Sequence, residues 1–444
     1  MGTSRRHLLG LALMGATHPL LGAAHPLLRA APPRSAADAR TDRALAAIAS
    51  DPARELASLS VMALRAGRPV YQAQFGLRSI ERQLPANAAT LYRIASVSKL
   101  VTTIGVLRLV EAGRLDLDAD VSGYLGFTLR NPHFADRAIT LRSLMSHTSS
   151  LRDDAGYSWP LATALSTILQ AGAPNFGSGA MWAANAGPGD FFTYCNLAWG
   201  VIGTLMERVT GERFDRLMQR LVLSPMDIHG GYHPSTMSAA DVGNIATLYR
   251  KRTVDTEVWN AAGPWIAQAD QITQPPPPPP GADTYIAGTN ATPFSPTGGL
   301  RITAAGLATI MRMLMADGRH GRARLLQPAT IEQMFRRQWT YDPLRQNGDT
   351  SGGLFLAWGL GNQQFPDAPG SRLIDDGGFN AVGHLGDAYG LRSLFVFERA
   401  SGTGYIAIIG GTASDPEASK GIHSPLARVE ERVLDAIRER TRHA

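Results

Sequence analysis

Strand patterns lie near both ends of this chain, and they constrain its fold more than any other feature. Near the start, two apolar runs flank Gly67 within residues 56–76, which is typical of a β-hairpin. Near the end, apolar runs at 391–398 and 405–410 are separated by a Ser-Gly-Thr-Gly turn. This arrangement favours one antiparallel sheet built from both ends of the chain.

Helical patterns fill the segment between these strands. Three strongly apolar stretches each end shortly before a glycine, and they cover residues 99–111, 197–209 and 303–315. A last helix is expected at about 424–440, where the apolar residues form one stripe. The sequence thus predicts an α/β (α+β) fold in which helices flank the sheet.

The length and composition are those of a large globular domain. The chain has 444 residues, of which 44% are hydrophobic, so a sizeable core can be buried. We expect one domain over residues 40–444, with its sheet region at about 50–95 and 350–444 and a mostly helical region inserted at about 100–350. Six consecutive prolines at 275–280 predict an extended loop within that region.

Charge and cysteine content exclude several classes of site. The net charge of +6 is spread thinly along the chain, which argues against a nucleic-acid-binding protein. The single cysteine, Cys195, excludes an internal disulfide and a metal site made of several cysteines. We interpret Cys195 as a small buried residue.

Residues 1–39 resemble a twin-arginine signal peptide and linker. Arg5 and Arg6 precede a short apolar run over residues 8–16, and small residues follow. The run is too short to span a bilayer. We expect a periplasmic or secreted protein, although an arginine-flanked surface helix is an alternative for this segment.

The first motif is Ser96-Val-Ser-Lys99, at the start of an apolar helix. Residues three apart lie on the same face of a helix. A serine hydroxyl becomes nucleophilic when a base takes its proton, and a buried lysine can be that base because desolvation lowers its pKa. A surface serine beside a solvated lysine is the alternative, and the apolar flanks argue against it.

Two further motifs complete the candidate site. In Tyr194-Cys-Asn196, a phenol could relay a proton and an amide could bind a substrate carbonyl; a core tyrosine followed by an asparagine helix cap is the alternative. His384-Leu-Gly386 precedes the last pair of strands, on what we expect to be an edge strand.

Other candidates are set aside. His229 is interpreted as a turn residue, His147 as a structural hydrogen-bonding residue, and Asp153 with Asp154 as solvated loop charges.

In this order the three motifs resemble those of the serine β-lactamase and penicillin-binding-protein superfamily. The detail is similar to its class C branch, which also holds D,D-carboxypeptidases, D-aminopeptidases and carboxylesterases of the family VIII type. The resemblance spans roughly residues 45–440. It implies a β-lactamase/transpeptidase-like fold and a two-step acyl transfer that needs no metal or cofactor.

The resemblance also implies roles for individual residues. Ser96 would be the acylated nucleophile, with Lys99 and Tyr194 acting together as general base and then acid. Asn196 would contact the substrate, and the backbone N–H groups of Ser96 and Asp387 would form the oxyanion hole.

The third motif departs from the pattern of most β-lactamases, and this difference bears on the choice of substrate. Most β-lactamases carry Lys-Thr-Gly where this chain has His384-Leu-Gly386. We expect a mostly neutral His384 to donate a hydrogen bond without a charge, and to become cationic as the pH falls through about 6.5. Esters or amides are therefore the favoured small-molecule substrates, D-peptides the next, and β-lactams the least favoured. A penicillin- or peptidoglycan-binding sensor that is acylated without turnover stays open.

Overall fold

The protein is described by a computed structural model that covers residues 35–442. Most of the expected signal peptide and linker, residues 1–39, lies outside the described residues, and the first helix begins at Ala36. The helices are α1 Ala36–Ala49, α2 Val97–Glu111, α3 Ser122–Leu125, α4 Leu141–Met145, α5 Ser166–Leu169, α6 Leu197–Thr210, α7 Phe214–Met218, α8 Ala239–Gly243, α9 Ala304–Met315, α10 Pro328–Phe335 and α11 Arg428–Arg442.

The strands range from two to twelve residues in length. They are β1 Ser58–Arg65, β2 Arg68–Ser79, β3 Leu84–Pro85, β4 Tyr92–Arg93, β5 Gly230–Gly231, β6 Leu248–Lys251, β7 Trp265–Ala269, β8 Arg301–Ile302, β9 Arg319–His320, β10 Ala323–Arg324, β11 Trp339–Thr340, β12 Ala357–Trp358, β13 Gln363–Phe365, β14 Ala381–Ala388, β15 Leu391–Glu398, β16 Thr403–Ile409 and β17 Gly411–Thr412.

The predicted sheet from both ends of the chain is confirmed. Within residues 35–442 the largest sheet has nine strands in the order β11-β12-β13-β14-β15-β16-β1-β2-β3, and every neighbouring pair is antiparallel. Val61 on β1 lies opposite Ala73 of β2 on one side and Ala407 of β16 on the other. The first hairpin therefore joins the last one directly.

Both faces of the sheet are covered, which explains why β1 is apolar without alternation. Val61 and Ala63 point into a core shared with α1 and α11, where Leu434 and Ile437 are buried. The intervening Met62 belongs to a second, larger core that contains α2, α6 and α9. The fold is thus a three-layer α/β arrangement with its larger helical layer on one face.

The long apolar helices lie where the sequence predicts them. Helix α2 is buried over nearly its whole length, as its uniformly apolar composition requires. The prolines at 275–280 lie in an exposed segment without helix or strand. Among the described residues, no helix combines the length and the apolar character that crossing a bilayer requires.

Candidate active site

The first motif places its serine at the start of helix α2. Ser96 precedes the first helical residue, and Ala95 before it has a left-handed φ of +45°. An alanine in that region is strained, and such strain clusters at functional sites. Lys99 follows one helical turn later, and its Nζ lies 2.9 Å from the Ser96 Oγ. The spacing therefore brings the two predicted side chains into direct contact.

Lys99 is wholly buried and is held by three oxygen atoms. Besides the Ser96 Oγ, its Nζ donates to the Asn196 Oδ1 at 2.8 Å and to the Thr297 carbonyl at 2.9 Å. Burial lowers the pKa of this lysine to about 7, although the charge of Asp153 acts in the opposite direction. The amide and carbonyl oxygens can only accept, so a neutral Lys99 donates to both and directs its lone pair at Ser96.

The second motif brings Tyr194 against the same serine. The Tyr194 phenol interacts with the Ser96 side chain, and the Lys99 Nζ lies 5.0 Å from the centre of the Tyr194 ring. The ring stacks on His147 at 4.5 Å and on Phe355 at 5.3 Å, and these contacts fix its orientation. Burial raises the pKa of Tyr194 above its usual range, so the phenol keeps its proton.

Asn196 is positioned by Asp153, and this corrects the expectation of a solvated loop charge there. Asp153 is partly buried, and its carboxylate accepts the backbone N–H groups of Asn196 and Leu197 at 2.9 and 2.8 Å. The first N–H groups of a helix have no partner within it, and a carboxylate from a distant loop supplies one here. Asp153 thus caps α6 in place of Asn196, whose Nδ2 donates to the same carboxylate at 2.8 Å. One N–H of the Asn196 amide remains for a substrate.

The third motif lies on β14, beside the serine. This strand is not the expected edge, because β13 pairs with its first three residues, but from His384 onwards its β13 side is open. Ser393 of β15 lies opposite Gly386 and donates to the Ile94 carbonyl at 2.8 Å, which joins the sheet to the turn before Ser96. A Cβ on Gly386 would lie 2.5 Å from that carbonyl oxygen, so a side chain cannot be accommodated.

His384 presents a hydrogen-bond acceptor, which corrects the expectation that it donates. Its Nδ1 lies 2.6 Å from the Leu385 carbonyl oxygen, which can only accept, so Nδ1 carries the ring proton. Its buried Nε2 has no hydrogen-bond partner among residues 35–442 and therefore offers a lone pair. Burial, together with the nearby Lys99, lowers the pKa of His384 to about 3. The expected gain of charge near pH 6.5 therefore does not occur.

A cavity of about 730 Å³ lies over the three motifs. Among its lining residues are Ser96, Tyr194, Asn196, His384, Gly386 and Asp387. Within the same lining, Arg392 lies 2.6 Å from Glu417 and 3.3 Å from Asp387. The sequence-predicted site residues therefore share one cavity, with Lys99 buried beneath it.

Three residues to which we assigned no catalytic role have surroundings that agree with that interpretation. They are His147, Cys195 and His229. The His147 Nδ1 accepts the backbone N–H of Cys195 at 3.0 Å, which is a structural contact next to Tyr194. Burial raises the pKa of the Cys195 thiol well above its usual range, so the thiol stays protonated. The His229 side chain is 76% exposed and lies against Asp241, outside the cavity lining.

Sequence reasoning missed two residues of the site. The Thr297 carbonyl binds Lys99, and its hydroxyl donates to the Asn196 Oδ1 at 2.7 Å. Arg93 lies three residues before Ser96 and lines the cavity. The position of Arg93 just before the first motif was an available signal, whereas none of the three motifs indicates Thr297.

Comparisons with known proteins agree with this architecture. The family model for Beta-lactamase matches residues 44–424. The chain is 32% identical to Esterase EstB of Burkholderia gladioli over 186 residues, which are 39% of this chain and 46% of that protein. It spans less than two thirds of the length of the first curated relatives that it matches.

Solved structures share the fold at low sequence identity. A class C β-lactamase from Rhodobacter sphaeroides superposes with a TM-score of 0.62 at 16% identity, covering 91% of this chain and 99% of that one. A D-amino acid amidase from Ochrobactrum anthropi SV3 superposes with a TM-score of 0.58 at 20% identity, covering 90% and 99%. With a family match over most of its length and the three motifs around one cavity, this chain belongs to the β-lactamase family.

Proposed function

We propose that the protein is a serine hydrolase that cleaves small esters or amides through an acyl-enzyme. The observation that carries this proposal is the contact of the Lys99 Nζ with the Ser96 Oγ at 2.9 Å, where the other two neighbours of Nζ are acceptors. A lysine whose pKa is about 7 is half neutral at pH 7 and can take the serine proton.

Acylation follows from these positions. The Ser96 Oγ attacks the substrate carbonyl carbon as its proton passes to the Lys99 Nζ. The backbone N–H groups of Ser96 and Asp387 would stabilise the resulting oxyanion. Collapse breaks the bond to the leaving group, which takes a proton from the Tyr194 phenol, and Lys99 returns a proton to Tyr194. Water then adds to the acyl carbon, and the same groups release the acid and restore Ser96.

Esters are the first substrate class that we propose. The similarity to Esterase EstB supports them, and His384 lacks the cation found at the third motif of most β-lactamases. D-amino-acid amides are the second class, supported by the shared fold with the D-amino acid amidase. A panel of nitrophenyl esters, D-amino-acid amides, D-Ala-D-Ala peptides and a chromogenic cephalosporin separates these classes.

The nucleophile is tested by covalent labelling. A fluorophosphonate probe should add one adduct, on the peptide that contains Ser96, and Ser96→Ala should abolish both labelling and turnover. Lys99→Ala and Tyr194→Phe should each lower kcat/KM by several orders of magnitude, and by less than the product when combined, because they act as one unit. Full activity in Ser96→Ala would contradict the proposal.

We also propose export through the twin-arginine route. Arg5, Arg6 and the apolar run after them support this location. Cell fractionation should find the processed protein outside the cytoplasm, and changing both arginines to lysine should retain it inside. Unprocessed protein in the cytoplasm for both versions would contradict export.

A further inference from the structure

Arg93 is a cation in the cavity wall that has no counter-ion among residues 35–442. Its Nε donates to the Gly298 carbonyl at 3.1 Å, and its Nη2 lies 3.4 Å from the Ser295 hydroxyl. Both partners are neutral, and Nη1 makes no hydrogen bond within the described part of the chain. Because a desolvated charge is costly without a partner, an anion that enters the cavity gains by pairing with this group.

The surroundings of Arg93 add positive rather than negative charge. Arg301 lies nearby, and its own charge is matched by Asp270 in a two-bonded pair at 2.7 and 3.0 Å. The one carboxylate beside the two guanidinium groups binds Arg301 alone, so one positive charge is left over. Elsewhere in the same cavity lining the cations are neutralised, since Arg392 and Lys420 both bind Glu417.

Arg93 is close enough to the nucleophile for one small substrate to reach both. It binds the Gly298 carbonyl, while Lys99 binds the carbonyl of the preceding residue, Thr297. Neighbouring carbonyls place the two cations within a distance on the order of 10 Å. The ring of Tyr389 lies 5.0 Å from the Arg93 guanidinium and is 42% exposed at the cavity wall, so it shields one face from water.

The geometry points to Arg93 as the group that binds a carboxylate on the substrate, so that the preferred esters or amides are anionic. This inference rests on the proposed hydrolase function and extends it. His384 cannot provide this contact, because its Nδ1 proton is bound to the Leu385 carbonyl and its buried Nε2 carries a lone pair. Arg392 is already paired. The carboxylate belongs either to the acyl part or to the leaving group, and substrates of each kind distinguish the two sources.

Two matched substrate pairs test the inference. The first is mono-4-nitrophenyl glutarate with its methyl ester, in which the charge lies on the acyl side. The second is 4-acetoxybenzoate with its methyl ester, in which the charge lies on the leaving group. For each pair, we compare kcat/KM of the anionic substrate with kcat/KM of its neutral methyl ester. Arg93→Gln should lower this ratio in at least one pair by about ten-fold or more, since a charge-assisted hydrogen bond is lost. Turnover of the neutral esters should change much less.

Controls separate this inference from the function on which it rests. Arg322→Gln removes an exposed arginine remote from the cavity lining and should leave both ratios unchanged. Arg93→Lys keeps the charge and should retain part of the preference. Unchanged ratios in Arg93→Gln would overturn the inference while hydrolysis stands.

A binding measurement needs no turnover and no variant. Calorimetry on the unmodified protein should give a benzoate affinity about ten-fold or more above that of neutral benzamide. Equal affinities would overturn the inference, whether or not esters are hydrolysed. If no ester of either pair and no D-amino-acid amide is hydrolysed, the proposed function fails, and the calorimetric comparison still decides whether the protein prefers an anionic ligand.

Discussion

Lys99 has to lose a proton before it can accept one from Ser96. Water is excluded from its Nζ, and the three oxygen neighbours compensate only in part for the lost hydration, which explains a pKa of about 7. Asp153 limits the shift, because its negative charge favours the ammonium form. The base is therefore poised near neutral pH, where proton transfer is most effective.

The pH dependence of hydrolysis should report this lysine. For a neutral ester, kcat/KM should rise as the pH rises through about 7 and then level off, because the neutral amine is the reactive form. His384→Asn should leave the midpoint of this rise in place, since an imidazole with a pKa of about 3 does not titrate in that range. Stopped-flow or steady-state rates from pH 5.5 to 8.5 provide the measurement. A midpoint that disappears in His384→Asn would assign the titration to the imidazole instead.

At the residue scale, the sequence predicts which side chains are spaced to meet along a helix. It does not predict which residues from distant loops surround them. The separation of Ser96 and Lys99 predicts their contact, because three residues make nearly one helical turn. The partners Thr297 and Asp153 come from distant loops, where no periodicity indicates what a side chain will meet. The tautomer of His384 depends on the carbonyl of its own neighbour in β14, which a motif does not encode.

Among the elements, helix α6 links the site to the rest of the fold. Its start carries Asn196, and Asp153 accepts both backbone and side-chain N–H groups there. The cap thus holds the amide whose Oδ1 binds Lys99. Loss of the cap should affect stability and catalysis together.

Asp153→Asn should therefore produce two changes. Stability should fall by about 1–2 kcal/mol through the weakened cap. The rise of kcat/KM should also move to lower pH, because removing the negative charge lowers the pKa of Lys99 further. Urea denaturation and the pH–rate profile measure the two effects. Asp154→Asn, at the exposed neighbouring residue, is the matched control; a profile that coincides with the control would contradict the electrostatic role of Asp153.

Element length decides how much of the sheet can be predicted. The long strands β1, β2, β15 and β16 and the apolar helices were expected within a few residues of their bounds. Strands β11, β12 and β13 have only two or three residues each, too few to form a pattern. They nevertheless place Trp358 beside His384, with ring centres 5.4 Å apart, and Gln363 of β13 lines the cavity.

For the molecule as a whole, the last helix and the loop before it contribute residues to the cavity lining. Glu431 at the start of α11 is fully buried and accepts the backbone N–H groups of Ile422, His423 and Ser424. Burial alone would raise the pKa of this carboxyl, but the hydrogen bonds together lower it to about 2. The same stretch of chain supplies Leu426 to the cavity lining.

We therefore expect acid to lower the folding stability of the protein by protonating Glu431. A carboxyl whose pKa is depressed on folding stabilises the protein above its unfolded pKa of about 4.5, and the contribution is lost as the pH falls towards 2. Glu431→Gln should lower the free energy of unfolding by about 3 kcal/mol at pH 7 and by clearly less at pH 3. Urea denaturation at both pH values measures this, with the exposed Glu257→Gln as control. Equal losses at pH 7 and pH 3 would show that the charge is not the stabilising feature.

The pairing of β1 with β16 also means that β1 must wait for its partner strand during synthesis. Strand β1 is synthesised about 350 residues before β16, with which it pairs in the sheet. At ordinary elongation rates this delay is on the order of 20 to 70 s. During that time an apolar strand has one satisfied edge, from β2, and one open edge that could pair with another nascent chain. Ser96 is likewise made long before Gly386 and β14 can reach it. A chain whose synthesis stops between α2 and β14 therefore contains Ser96 but lacks Gly386 and β16. Such a fragment has no enzymatic activity and exposes an unpaired edge of β1.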